Sequence, residues 1–259
     1  MNHPLGSIHH PLVSKRSPMP VFVLLGFCVA VLAALTVMLS GLGSRWGWWD
    51  FRTGFTVLKW GGIGSIAAAA ASLISAVLTR PGRARRGFIP ALAGLVISLV
   101  VVGVLLNWMG TARRVPPIHD ITTDTVNPPA FVAILPLRAG APNPAQYGGP
   151  TIAALQQVGY PNLKPEVLEI PPDQAFDRAL KVAHDMGWEI VASNPAEGRI
   201  EATDTTFWFG FKDDIVVRIT PIGSGSRVDV RSVSRVGRSD VGTNAARIQK
   251  YLKRLKQQP

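Results

Sequence analysis

Three long apolar runs, residues 20–41, 54–78 and 87–109, constrain this chain more than any other feature. A helix needs about 20 apolar residues to cross the hydrocarbon core of a bilayer, and each run supplies them. Each is therefore predicted to be a transmembrane helix. Lys15 and Arg16 precede the first run as they would in a secretory signal. That run, however, exceeds a signal core of about 7–15 residues, and LSGLGS is a poor cleavage site, so an anchor is expected.

Short basic loops stay on the cytoplasmic side. Arg80, Arg83, Arg85 and Arg86 crowd the second connection, and Lys15 and Arg16 flank the first run. With Arg113 and Arg114 opposed to these six, the expected topology has a cytoplasmic tail over 1–19 and spans within 20–110. Everything after residue 110 then lies outside, in the periplasm of an inner-membrane protein. Trp46, Trp48, Trp49, Trp60 and Trp108 would gather at the outer interface, where indole rings prefer to sit, and Lys59 can snorkel to it. Small residues recur every four positions, as Gly26/Ala30/Ala34, Gly61/Ser65/Ala69 and Gly64/Ala68/Ser72. Such stripes serve close helix packing within the bundle or against a partner subunit.

Charge supports this division. The net charge is +11. Residues 1–114 hold 11 Lys/Arg against the single acid Asp50, whereas residues 115–259 hold 16 against 15. A nucleic-acid-binding domain would carry its basic stripe on the folded part, so no nucleic-acid partner is expected. The lone cysteine, Cys28, allows no disulfide within the chain.

Proline punctuates residues 111–171, which are expected to be mostly extended or looped, with FVAILPL (131–137) as a short edge strand and APNPAQYGGP (141–150) as the most flexible part. Residues 172–259 form the expected α+β core. Phe176, Ala179, Leu180, Ala183 and Met186 recur at helical spacing. WEIVAS (188–193), RIEATDT (199–205), DIVVRIT (214–220) and RVDVRSVSRV (227–236) read as strands, with GSGS (223–226) as a hairpin turn. A closing helix starts near Val241. The order α-β-β-β-β-α predicts one antiparallel sheet with both helices on one face.

Three phrases, IHDITTDTVNPPAF (118–131), MGWEIVASNPAEGRIEATDTTFWFGFKDDIVVRI (186–219) and DVRSVSRVGRSDVGTNAARI (229–248), resemble the domain-of-unknown-function family 1499 over about residues 116–257. Members of that family are typically bacterial and often membrane-tethered, with relatives in plastids. The resemblance implies no established activity, but it implies that IHDITTD belongs to the domain.

The candidate chemistry lies in RVDVRSVSRVGRSDVGTNAARI (227–248). GRSDVGTN imitates a phosphate-binding loop but has Thr243 where lysine must stand. Asp240 suits a helix N-cap, or else Arg235, Arg238 and the helix start form an anion pocket. Alternation puts Val228, Val230, Ser232 and Ser234 on one face of the strand, and Asp229, Arg231, Val233 and Arg235 on the other. With Glu201 and Arg218 the latter would form a solvated charge ladder. The two serines on the apolar face mark either a groove or local hydrogen bonding. In FWFGFKDD, Phe207, Phe209 and Phe211 are expected in the core, while Trp208 and Lys212 face a membrane surface or ligand. Asp213 and Asp214, adjacent in a strand, would point to opposite faces.

No catalytic residue, metal ligand set or cofactor motif is read. His119 lacks a placed nucleophile, and His184 reads as solvated. The candidate ligand-binding residues are Arg231, Ser234, Arg235, Gly237, Asp240, Gly242, Asn244, Arg247, Trp208, Lys212 and Asp214. The expected function is a membrane-anchored extracytoplasmic binding domain in envelope organisation, with the lipid bilayer and a membrane or envelope protein as partners. A transport-complex subunit and an enzyme acting on an anionic envelope substrate are the alternatives.

Overall fold

The structure, a computed structural model, describes residues 18–82 and 86–257. Lys15, Arg16, Arg83 and Arg85, on which the orientation argument draws, lie outside the described residues. Three apolar helices come first: α1 (Val21–Arg45), α2 (Phe51–Leu78) and α3 (Phe88–Arg114). Each is long and apolar enough to cross a membrane. Pro90 is tolerated because it sits in the first turn of α3, where its missing N–H has no partner to lose. Hydroxyls inside the helices bond back to the preceding turn, Ser65 Oγ donating to the Gly61 carbonyl at 2.9 Å and Thr79 Oγ1 to that of Ser75 at 2.7 Å. The small-residue stripes are used inside this bundle: Ala30, Ser65, Ala68 and Ser72 are buried. A Cβ on Gly94 would lie 3.3 Å from the Phe27 backbone, an approach only glycine permits comfortably.

The chain divides into two compact units. One comprises residues 1–39 and 56–104. The other comprises Ser40–Phe55 and Leu105–Pro259, so the ends of the apolar helices belong with the domain that follows.

That domain is an antiparallel α+β fold of six strands: β1 (Asp120–Thr122), β2 (Glu166–Leu168), β3 (Glu189–Asn194), β4 (Arg199–Thr205), β5 (Lys212–Ile222) and β6 (Gly225–Ser234). The order is β1-β6-β5-β4-β3, with β2 also pairing β6. The hairpin between β5 and β6 closes through Gly223 and Ser224, with Ile222 opposite Gly225. Gly223 has φ 58°, the left-handed conformation that a two-residue hairpin turn requires. Helices α5 (Pro172–Asp185) and α6 (Thr243–Gln257) share one face of the sheet. There Phe176, Ala179, Val182, Trp188, Ile215, Val217, Val228, Val230, Ile248 and Leu255 form the main core. The Trp188 and Tyr251 rings stack within it at 4.9 Å, and Tyr251 donates to the Ala179 carbonyl.

The four long strands and both helices fall where the alternation of residues places them. The proline-rich segment does not. It contributes β1, β2 and a further helix, α4 (Gly149–Gly159). FVAILPL is no edge strand: it is a turn followed by a 3-10 helix over Leu135–Arg138. Pro136 fixes φ and donates no ladder bond, while Phe131 and Ile134 pack on Val216 and Val233 as a second small core on the sheet face away from α5 and α6. The stretch expected to be most flexible is tied down as well, Asn143 Nδ2 donating to the Ser234 and Gly237 carbonyls at 3.0 and 2.9 Å.

Candidate functional site

The alternation of β6 sends its polar residues to opposite faces of the sheet. Pairing sets the rest. Asp213 lies opposite Ser234 and Asp214 opposite Val233, so the two aspartates face opposite ways, as their adjacency requires.

On the helix face, Ser232 and Ser234 are buried and hydrogen-bonded rather than lining a groove. Ser232 Oγ donates to Asn244 Oδ1 at 2.7 Å, and Asn244 Nδ2 donates to Ser234 Oγ at 3.0 Å and to the His119 carbonyl at 3.0 Å. Arg247 joins them, its guanidinium pairing with Asp213 at 2.6 Å and Asp204 at 2.7 Å and donating to Asn244 Oδ1.

The other face was expected to be a solvated ladder, and this is corrected by burial: residues 124–147 cover it. Arg231 donates bidentately to Asp120 at 2.9 and 2.7 Å and also to the Pro129 and Ala145 carbonyls. Its guanidinium lies over the Phe131 and Tyr147 rings, at 5.1 and 5.5 Å. Asp214 accepts from Arg138 at 2.6 Å, from Arg235 at 2.9 and 2.8 Å and from Thr203 at 2.7 Å. Burial pushes the Asp214 carboxyl up, but the hydrogen bonds from Arg235, Thr203 and Arg138 outweigh it and hold the pKa below the usual carboxylate value. Arg218 and Arg227 share Asp124 and Asp229. Glu201 leaves the expected ladder altogether. Fully buried, it accepts the backbone N–H groups of Val132, Ala133 and Ile134 at 3.0–3.1 Å and an Arg199 bond at 2.7 Å.

Between these faces, Asp240 opens α6. Its carboxylate accepts the N–H groups of Gly242 at 3.0 Å and Asn244 at 2.6 Å, the donors an incoming anion would use. Burial raises its pKa, against the lowering effect of those two bonds. Arg238 is exposed and, among the described residues, makes no side-chain hydrogen bond or ion pair. His119 Nδ1 lies 3.4 Å from the Arg238 carbonyl, and His184 is exposed on α5.

The candidate residues are therefore not one surface. Arg231, Arg235 and Asp214 lie under the 124–147 segment. Ser234, Asn244 and Arg247 lie on the helix face. Asp240 and Gly242 form the α6 start, Gly237 is an exposed turn residue, Trp208 lies within the turn between β4 and β5, and Lys212 is the first residue of β5. A cleft of about 240 Å³ lined by Val182, Asp185, Arg254 and Gln257 involves none of them. Asp120, Arg138 and Asp204 are partners that sequence reasoning missed, whereas Asp229 and Glu201 were read as ladder residues and Asp213 only as facing away from Asp214. The near-equality of acids and bases after residue 115 was the available sign that such partners exist.

The second feature is the turn after β4. It is closed by the Thr206 N–H donating to the Phe211 carbonyl at 2.8 Å and the Phe211 N–H to Thr206 Oγ1 at 2.9 Å. The expectation of three core phenylalanines is corrected here: Phe209 is buried but Phe207 is 79% exposed. Trp208 lies against Gly41, where a Cβ would approach its indole to 2.6 Å, and 4.6 Å from the Trp108 ring. Phe209 packs on Phe55 at 4.9 Å, and Phe211 on Phe51 at 5.8 Å. Arg45 Nη1 donates to the carbonyls of Thr206 and Phe207 at 2.9 and 3.0 Å.

The family model described as "Protein of unknown function (DUF1499)" matches residues 120–255. The chain belongs to this family. The DUF1499 match begins at Asp120, the partner of Arg231, and ends within α6, so the covering segment 124–147 lies inside the span of the family. No curated protein matches the chain. Among solved structures, that of TTHA0849 from Thermus thermophilus is 14% identical with a TM-score of 0.24, covering 36% of this chain and 94% of that one.

Proposed function

We propose that the chain carries a DUF1499 interaction domain on the extracytoplasmic side of the cell membrane, where it engages another envelope component. The observation that carries this reading is the seating of the aromatic turn. Trp208, Phe209 and Phe211 pack on the ends of the apolar helices, and the proline-rich chain that would have made a tether is used to cover the sheet. The charged residues of the strand–turn–helix are engaged with one another, so recognition falls to what remains outside. Lys212, Gly237 and Arg238 are exposed at that end of the sheet, a cationic rim that suits an anionic partner surface.

The orientation rests on the basic residues. Arg45 and Arg52 stand in the first connection beside Asp50, so six basic residues on the proposed inner side face four on the outer, with Arg113 and Arg114. Arg45 is committed to the carbonyls of residues 206 and 207. A Ser224→Cys variant in a Cys28→Ser background puts a thiol on the exposed β5–β6 turn. We expect a membrane-impermeant maleimide to label it in intact spheroplasts. Labelling only after lysis would place the domain in the cytoplasm and overturn the reading.

A further inference from the structure

The turn at residues 206–211 leaves one large aromatic ring outside every core. Phe207 is 79% exposed, and beside it, past the end of α1, Trp46 and Trp48 are 55% and 60% exposed. Arg45 links the two groups: its guanidinium lies 5.8 Å from the Phe207 ring centroid while the same side chain donates to the carbonyls of 206 and 207. Trp46 and Trp48 are in ring contact at 5.0 Å. Each aromatic left in water forgoes the gain of burial, and three grouped around Arg45 form an apolar patch of the kind that marks an interaction surface.

The identity of the occupant follows from position and polarity. The patch is continuous with the end of α1, a helix apolar and long enough to span a bilayer. Indole and phenyl rings partition to the boundary between headgroups and acyl chains. Backbone carbonyls entering that boundary need internal partners, because the hydrocarbon supplies none. Arg45 provides such a partner to both carbonyls at the tip. Arg45, Arg113 and Arg114 are exposed in the same unit, which supplies cations for lipid phosphates.

We propose that the 206–211 turn, with Trp46 and Trp48, enters the headgroup–acyl boundary of the membrane that α1–α3 cross, with Phe207 as its inserted tip. The proposal rests on the membrane reading above but not on its orientation. The insertion seats the domain from its own side, so the sheet is held to the membrane by its tip as well as by its helices.

The test uses the full chain in liposomes of phosphatidylcholine and phosphatidylglycerol. Bimane is attached to Phe207→Cys in the Cys28→Ser background, with Ser224→Cys as the reference site. Phe207 is exposed, so the substitution leaves the core intact. Doxyl-labelled lipids are expected to quench the label at 207 several-fold more than the label at 224, and aqueous iodide to show the reverse preference. Equal iodide quenching at both sites, with no response to doxyl lipid at 207, would overturn the proposal. Chain that does not float with the liposomes would instead defeat the membrane reading itself, and the proposal with it.

Discussion

Asp214→Ala is expected to destabilise the DUF1499 domain by about 3–5 kcal/mol, the cost of stranding buried charge. Two guanidinium groups lose their counter-ion at once: Arg138, itself 5% exposed, and Arg235. Against a usual domain stability of about 5–15 kcal/mol, such a change takes a large share and lowers the protection of β5 and β6 by at least about a hundredfold, which hydrogen exchange on the full chain measures. Lys181→Ala, which breaks an exposed i,i+4 pair with Asp185, should change stability by about 0–0.5 kcal/mol. The effect carries a pH signature. The Asp214 pKa is lowered in the folded state, so its contribution is complete above the unfolded value of about 3.9 and is lost as pH falls through the lower folded value. The gap between wild type and variant should therefore be constant near neutrality and shrink in strong acid. A gap that widened on acidification would show that Asp214 is not held as the anion.

Glu201→Gln is the second large effect, although the two side chains have the same shape. Two carboxylate oxygens receive three backbone N–H groups and an arginine. An amide offers one oxygen and turns an NH₂ group toward donors, leaving buried N–H groups unpaired at roughly 1–3 kcal/mol each. The loss is local, because Glu201 holds the turn at 132–134 rather than the strands. Trypsin should then cut after Arg138, which the wild type keeps buried, while β5 and β6 stay protected. Unchanged resistance at Arg138 would mean that the covering segment is held by Arg231 and Asp214 alone.

These two carboxylates also show where the sequence is legible and where it is not. DIVVRIT and RIEATDT announce their strands because period-two alternation over seven residues is a local signal. The three apolar runs announce themselves by length. Strands of three residues such as Asp120–Thr122 and Glu166–Leu168 have too few positions to show a period, and α4 is hidden by the glycines and proline at its start. The burial of Asp229 and Arg231 was out of reach for a different reason. Whether a sheet face is wet or covered depends on a segment about a hundred residues earlier in the chain, and nothing in β6 itself reports it. The supposed site was therefore legible as a charged strand, turn and helix, but its internal pairing was not. FWFGF misled because alternating aromatics resemble a strand, whereas Gly210, at φ 69°, closes them into a turn.

The packing of the aromatic turn fixes the DUF1499 domain to the ends of its apolar helices rather than hanging it from a tether. Spin labels at Thr53→Cys, in the first turn of α2, and Ser224→Cys, in the Cys28→Ser background, report that relation directly by pulsed dipolar spectroscopy in nanodiscs. One narrow distance distribution is expected. A broad distribution, as a tethered domain would give, would contradict it.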